Sequence, residues 1–185
     1  MEKTGILLIN LGTPNSYNVA DVRAYLREFL SDARVIELPA VLRWLLVRLV
    51  ILPFRAKKSA AAYKAIWSAN GSPLYVNSVA IQNNLQTLLG DQYTVALGMR
   101  YGSPNIAAAI KKLQYEQIKN IIIIPLFPQY ASAVTGSALQ QVLEIISKQK
   151  VIIPFKVVSD FFNHPAYIEA LSTTIRPYLQ NNYEF

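Results

Sequence analysis

Residues 5–14 read Gly5-Ile-Leu-Leu-Ile-Asn-Leu-Gly-Thr-Pro14. An apolar run without polar alternation describes a strand covered on both faces, and the Gly-Thr-Pro after it is a turn. Ile121-Ile-Ile-Ile-Pro125 repeats the pattern. The β-rich runs are 5–11, 93–99, 121–126 and 151–158. Longer stretches of helical period separate them. Ile106, Ala109, Ile110 and Leu113 share one face, and Leu139, Val142, Leu143 and Ile146 do the same. Tyr167, Leu171 and Ile175 repeat it within 164–179. Strands alternating with helices predict an α/β fold with a mostly parallel central sheet.

The strands end in polar or aromatic loops: Gly12-Thr-Pro14, Arg100-Tyr-Gly-Ser-Pro104 and Pro128-Gln-Tyr130. Ligands of open α/β sheets bind beyond the carboxyl ends of the strands, so these loops are expected to converge on one crevice. Residues 18–90 are too many for one crossover helix. They are read as several: 19–30 with Asn18 as N-cap, one containing 63–67, and 76–89.

Of 185 residues, 52% are hydrophobic and 16% charged, enough apolar surface for a real core. The absence of cysteine excludes disulfides, thiolate metal sites and cysteine nucleophiles. A net charge of +7 favours anionic partners. Nucleic acid is not expected, because no lysine-rich stripe or DNA- or RNA-binding motif is present. The amino terminus lacks the pattern of a signal peptide, which points to the cytoplasm.

Residues 39–54, Pro39-Ala-Val-Leu-Arg-Trp-Leu-Leu-Val-Arg-Leu-Val-Ile-Leu-Pro-Phe54, are the most unusual stretch. Between the prolines there is room for about 20 Å of helix, too short to cross a bilayer. Two readings stand. One is a buried helix. The other is an apolar lip that meets a membrane interface or a flat apolar ligand, a reading favoured by the cations Arg55, Lys57 and Lys58 beside it.

Walker A, GxGxxG and GxSxG sequences are absent. The single histidine, His164, sits in Asn163-His-Pro165, which reads as the start of a helix rather than as a ligand or base. The carboxylates are scattered, with Asp21 and Glu28 on one helix face and Asp32 and Glu37 in the following loop; most are read as solvated. No metal site is predicted.

Taken in order, the motifs resemble one family. Residues 5–14 resemble the amino terminus of ferrochelatases, and Val22-Arg-Ala-Tyr-Leu-Arg-Glu-Phe-Leu-Ser-Asp32 resembles their first helix. Tyr63-Lys-Ala-Ile-Trp67 with Gly71-Ser-Pro-Leu74, Gly98-Met-Arg-Tyr101, and Leu126-Phe-Pro-Gln-Tyr130 with Thr135-Gly-Ser137 resemble further signatures. The resemblance implies a three-layer, chelatase-like (flavodoxin-like) domain, with 1–185 as the amino-terminal domain of an enzyme that inserts ferrous iron into protoporphyrin IX. It sets the catalytic histidine and glutamate beyond residue 185 and a further strand from about Tyr183–Phe185 onward. The chain alone is therefore expected to be inactive and to use its carboxy-terminal domain as partner.

The same resemblance assigns porphyrin contacts. Leu11 and Phe127 would line the macrocycle, or else serve core packing. Arg55 and Ser72 would lie on the propionate side. Arg100 and Tyr101 would lie on the pocket wall, with a structural ion pair as the other reading of Arg100. Trp44, Leu45, Leu46 and Leu49 would form a membrane-facing lip, and peripheral attachment to the inner membrane face is expected. No cofactor is expected on this chain, iron being substrate; a cluster held elsewhere in the protein is left open. A coproporphyrin enzyme, a non-catalytic porphyrin-binding module, and a cobalt or nickel chelatase are the alternatives.

Overall fold

The computed structural model describes residues 3–179. The strand expected from Tyr183–Phe185 onward lies outside the described residues. Strands β1 (Thr4–Thr13), β2 (Tyr93–Gly102), β3 (Asn120–Pro125) and β4 (Phe155–Val157) form an all-parallel sheet in the order β2-β1-β3-β4. The helices are α1 (Val19–Leu30), α2 (Ala40–Leu45), α3 (Leu52–Ile66), α4 (Pro73–Leu89), α5 (Ile106–Tyr115), α6 (Ser137–Ile146) and α7 (Pro165–Leu179).

The unalternating run in β1 divides between two cores, as a strand covered on both faces requires. Leu7 and Ile9 join Ile110 and Leu113 of α5 and Val142 of α6. Ile6 and Leu8 join Val95, Leu97 and Met99, against which Leu74, Val79 and Leu85 of α4 pack. A third cluster caps the carboxyl end of the sheet, with Val22, Tyr25 and Leu26 of α1, Leu52 and Ala60 of α3, and Tyr101. Gly12, at φ +106°, lets β1 and β2 close together here: a Cβ on it would collide with the Tyr101 carbonyl.

The expected α5 face is buried as a whole. In α6 the inward face is Ala138, Val142 and Ile146, while Leu143 is 51% exposed. Leu171 and Ile175 of α7 also remain exposed. Helix α1 has the expected bounds, but Asn18 makes no side-chain cap bond; Ser16 receives the Asn18 N–H and donates to Asp21 instead. Helix α4 starts at Pro73, earlier than the 76 expected, because Ser72 caps it and proline suits the first helical position. Strand β4 is shorter than 151–158, and Val151 and Ile152 are exposed.

The apolar segment departs most from expectation. Residues 40–66 are continuously helical, so Pro53 does not end the helix and 63–67 is no separate element. Residues 46–51 form a π-helical turn, and the Leu52 N–H reaches back to the Val47 carbonyl. Proline at 53 has no N–H for the Leu49 carbonyl and its ring crowds that turn; the widened turn accommodates both. No helix of the described residues is long and apolar enough to cross a membrane.

Strand β2 is an edge, and α4 covers part of it with side-chain amides. Gln86 Nε2 donates to the Tyr93 carbonyl at 3.0 Å, and its Oε1 accepts the Val95 N–H at 2.8 Å. Gln82 Nε2 donates to the Val95 carbonyl at 3.0 Å. Gln86 thus pairs as a neighbouring strand would, which blunts the edge. Gln86→Ala is expected to cost about 1–3 kcal/mol, since it leaves part-buried strand groups unpaired. Urea unfolding of the variant beside the parent chain measures it.

Candidate functional site

The sheet order reverses beside β1: the chain passes from β1 outward to β2, and later from β3 outward to β4 on the other side. Such a reversal opens a crevice at the carboxyl ends of the two central strands. Leu11 stands near the end of β1, and Phe127 follows β3. Both are half-buried, Leu11 against the α1–α3 cluster and Phe127 against the α5–α6 cluster.

Above these ends lies a network that sequence reasoning did not foresee. Asp32, read as a solvated carboxylate, has a side chain only 9% exposed. Its Oδ2 accepts from Arg100 Nη2 at 2.6 Å, from the Tyr101 hydroxyl at 2.8 Å and from the Ser137 hydroxyl. Its Oδ1 accepts the Arg34 N–H at 2.8 Å. Arg100 Nε donates to Ser137 Oγ at 2.6 Å, and the guanidinium lies 4.4 Å from the Tyr101 ring centre. Burial acts to raise the Asp32 carboxyl, but the bonds from Ser137, Arg34 and Tyr101, with the Arg100 charge, outweigh it and hold it below the usual value. Burial pushes the Tyr101 phenol up to about 12, so it stays a neutral donor. Arg34 continues the network, with Nε on Gln140 and Nη1 on Ser132, in the turn that opens α6.

The expected site residues therefore divide. Arg100 carries the ion pair that was the other reading of it. Tyr101 has no exposed surface, so it supports the wall from behind rather than facing a ligand. Ser72 is 2% exposed and its Oγ accepts the Tyr75 N–H, capping α4. It borders a cleft of 340 Å³ with Thr13, Trp67 and Tyr75. Arg55 is exposed on α3 and borders a separate depression with Phe54 and Lys58. The cleft beside Ser72 and the depression beside Arg55 have no lining residue in common. His164 is exposed at the start of α7, where its Nδ1 accepts the Ala166 N–H, as its helix-start reading requires. No group of three metal-ligating side chains occurs among the described residues.

The apolar segment is not a buried helix. Trp44 is 51% exposed, Leu49 60% and Phe54 80%, and Leu45 is exposed as well. Leu46 is half-buried, and Val47, Leu52 and Ala56 turn inward. Arg48 lies 5.6 Å from the Trp44 ring centre, and Arg55, Lys57 and Lys58 are exposed on the following turns. The result is an apolar face edged by cations.

The sequence matches the Ferrochelatase family over residues 3–184. The chain belongs to the ferrochelatase family. It is 46% identical over 181 residues to a ferrochelatase of Legionella pneumophila, covering 98% of this chain and 54% of that protein. It is 49% identical over 173 residues to a ferrochelatase of Coxiella burnetii, covering 94% of this chain and 48% of that protein. The chain thus spans about half the length of the curated relatives it matches. Asp32 and Ser137, to which pattern reading gave no role, lie in the stretches 22–32 and 135–137 that carry part of the family resemblance.

Removing one partner of a buried ion pair leaves the other uncompensated, so Asp32→Ala is expected to destabilise the fold by about 3–5 kcal/mol. The Asp32 carboxyl is lowered on folding from 3.8, so its contribution is full above that value and is lost as pH falls through the folded value. Acid titration of stability should show a shallower loss below pH 3.8 for the variant than for the parent chain.

Proposed function

We propose that this chain supplies a porphyrin-binding face of a ferrochelatase, the enzyme that exchanges two pyrrole protons of protoporphyrin IX for ferrous iron. The observation that carries this reading is the strand-order reversal beside β1, which sets Leu11 and Phe127 at the ends of the central strands. A flat macrocycle needs apolar walls, and aromatic stacking on Phe127 suits it. Arg55, exposed and without a carboxylate partner among the described residues, is available to a propionate. Binding energy spent against these walls would distort the ring and bare its nitrogens to the metal. The family resemblance sets the base that takes the pyrrole protons outside this chain, and His164, whose Nδ1 accepts the Ala166 N–H, is not given that role. Ferrous iron is substrate in this scheme.

The exposed lip supports a second element of the reading. Trp44, Leu45 and Leu49, with the cations after them, have the composition of a surface that dips into an anionic bilayer. A poorly soluble porphyrin could then pass between membrane and crevice without crossing water.

Titration with protoporphyrin IX, followed by visible absorbance, should show saturable binding that is tighter than for coproporphyrin. Iron insertion by the purified chain should be undetectable; measurable haem formation would remove the assignment of the base to another part of the enzyme. Changing Leu45, Leu46 and Leu49 together to serine should weaken binding to anionic vesicles at least about tenfold. Unchanged vesicle binding would reject the membrane role.

A further inference from the structure

We infer that Asp32 and Ser137 are positioning residues for ligand binding in the β1–β3 crevice, acting by holding the Arg100 guanidinium near the end of β1. The inference rests on the porphyrin reading above. Arg100 lies on β2 level with Leu11, between the paired positions Asn10–Met99 and Gly12–Tyr101. Ser137 opens α6, after β3. Because β1 separates β2 from β3, the 2.6 Å bond from Arg100 to Ser137 joins β2 to the helix that follows β3, at the level of Leu11 near the end of β1.

The guanidinium is held at Nη2 by Asp32, at Nε by Ser137 and against the Tyr101 ring. Nη1 has no partner among the described residues, and the side chain remains 16% exposed. A planar cation with two nitrogens tied offers its third in one fixed direction, which spares the ordering cost when a ligand binds. Asp32 cannot take that part itself. Three donors converge on one of its oxygens and a backbone N–H on the other. Its role is therefore to aim Arg100 and to balance its charge. The ligand chemistry that fits is a hydrogen-bond acceptor on the porphyrin, either a propionate oxygen or an unprotonated pyrrole nitrogen.

The test is a double-mutant cycle on the full chain, titrated with protoporphyrin IX and read by visible absorbance. Arg100→Gln and Asp32→Asn are each expected to weaken binding about tenfold, with the double variant no weaker than Arg100→Gln alone. A merely structural role for Asp32 would give effects that multiply. The inference fails if Asp32→Asn binds as the parent does, or if the two effects multiply. If circular dichroism shows Asp32→Asn unfolded, Ser137→Ala takes its place. It is expected to bind about threefold more weakly, and to have no effect once Arg100 is glutamine; multiplication there also overturns the inference. Protoporphyrin dimethyl ester separates the two acceptors: the coupling falls with the ester, whose carbonyl accepts without charge, if the acceptor is a propionate, and is unchanged if it is a pyrrole nitrogen. Absence of binding by the parent chain removes the porphyrin reading and this inference with it. Binding that is unaltered in the variants removes this inference alone.

Discussion

Everything in the molecule is arranged around β1, a strand paired on both edges and buried on both faces. Its register with β2 and β3 sets which carboxyl ends lie side by side. Its alternate residues feed two separate cores, Leu7 and Ile9 on one face and Ile6 and Leu8 on the other. Move that register by one residue and both cores exchange faces. The close approach of Gly12 to the Tyr101 carbonyl extends the same constraint to the loops, because β1 and β2 remain paired through Thr13 and Gly102.

The network above β1 depends on that register. Arg100 reaches Ser137 because β2 and the start of α6 flank one strand, and Asp32 reaches both because α1 lies over the same end. A carboxylate with this many donors is stable only where each arrives at bonding distance. Asp32 therefore joins three elements far apart in sequence, and ties the wall of the crevice to the loop that leads into the apolar helix. The same loop is held from the other side, where Arg43 Nη1 donates to the Leu38 carbonyl at 2.7 Å.

The apolar helix obeys a different economy. It buries one narrow stripe, Val47, Leu52, Ala56 and Ala60, and leaves large apolar side chains in solvent. Contiguous exposed apolar patches of this kind are uncommon on monomeric proteins. A π-helical turn ahead of Pro53 keeps the helix unbroken, so the cations that follow the proline are carried on the same rod as the apolar face.

Much was legible from local pattern. Unalternating apolar runs identified β1 and β3, spacing identified the inward face of α5, and Asn163-His-Pro165 identified the start of α7, because each signal depends on neighbours along the chain. Family membership, too, was readable from ordered short motifs. Three features needed the folded chain. Whether residues 39–54 face core or solvent depends on what packs beside them. Whether proline breaks a helix depends on a widened turn that periodicity does not encode. The state of Asp32 depends on Arg100, Tyr101 and Ser137, which lie 68, 69 and 105 residues away in sequence. By itself, the sequence determined the alternation of strands and helices, the covered strands and the family; only the tertiary structure decided which charges are buried together and which apolar face stays open, because desolvation and pairing are set by proximity in space rather than along the chain.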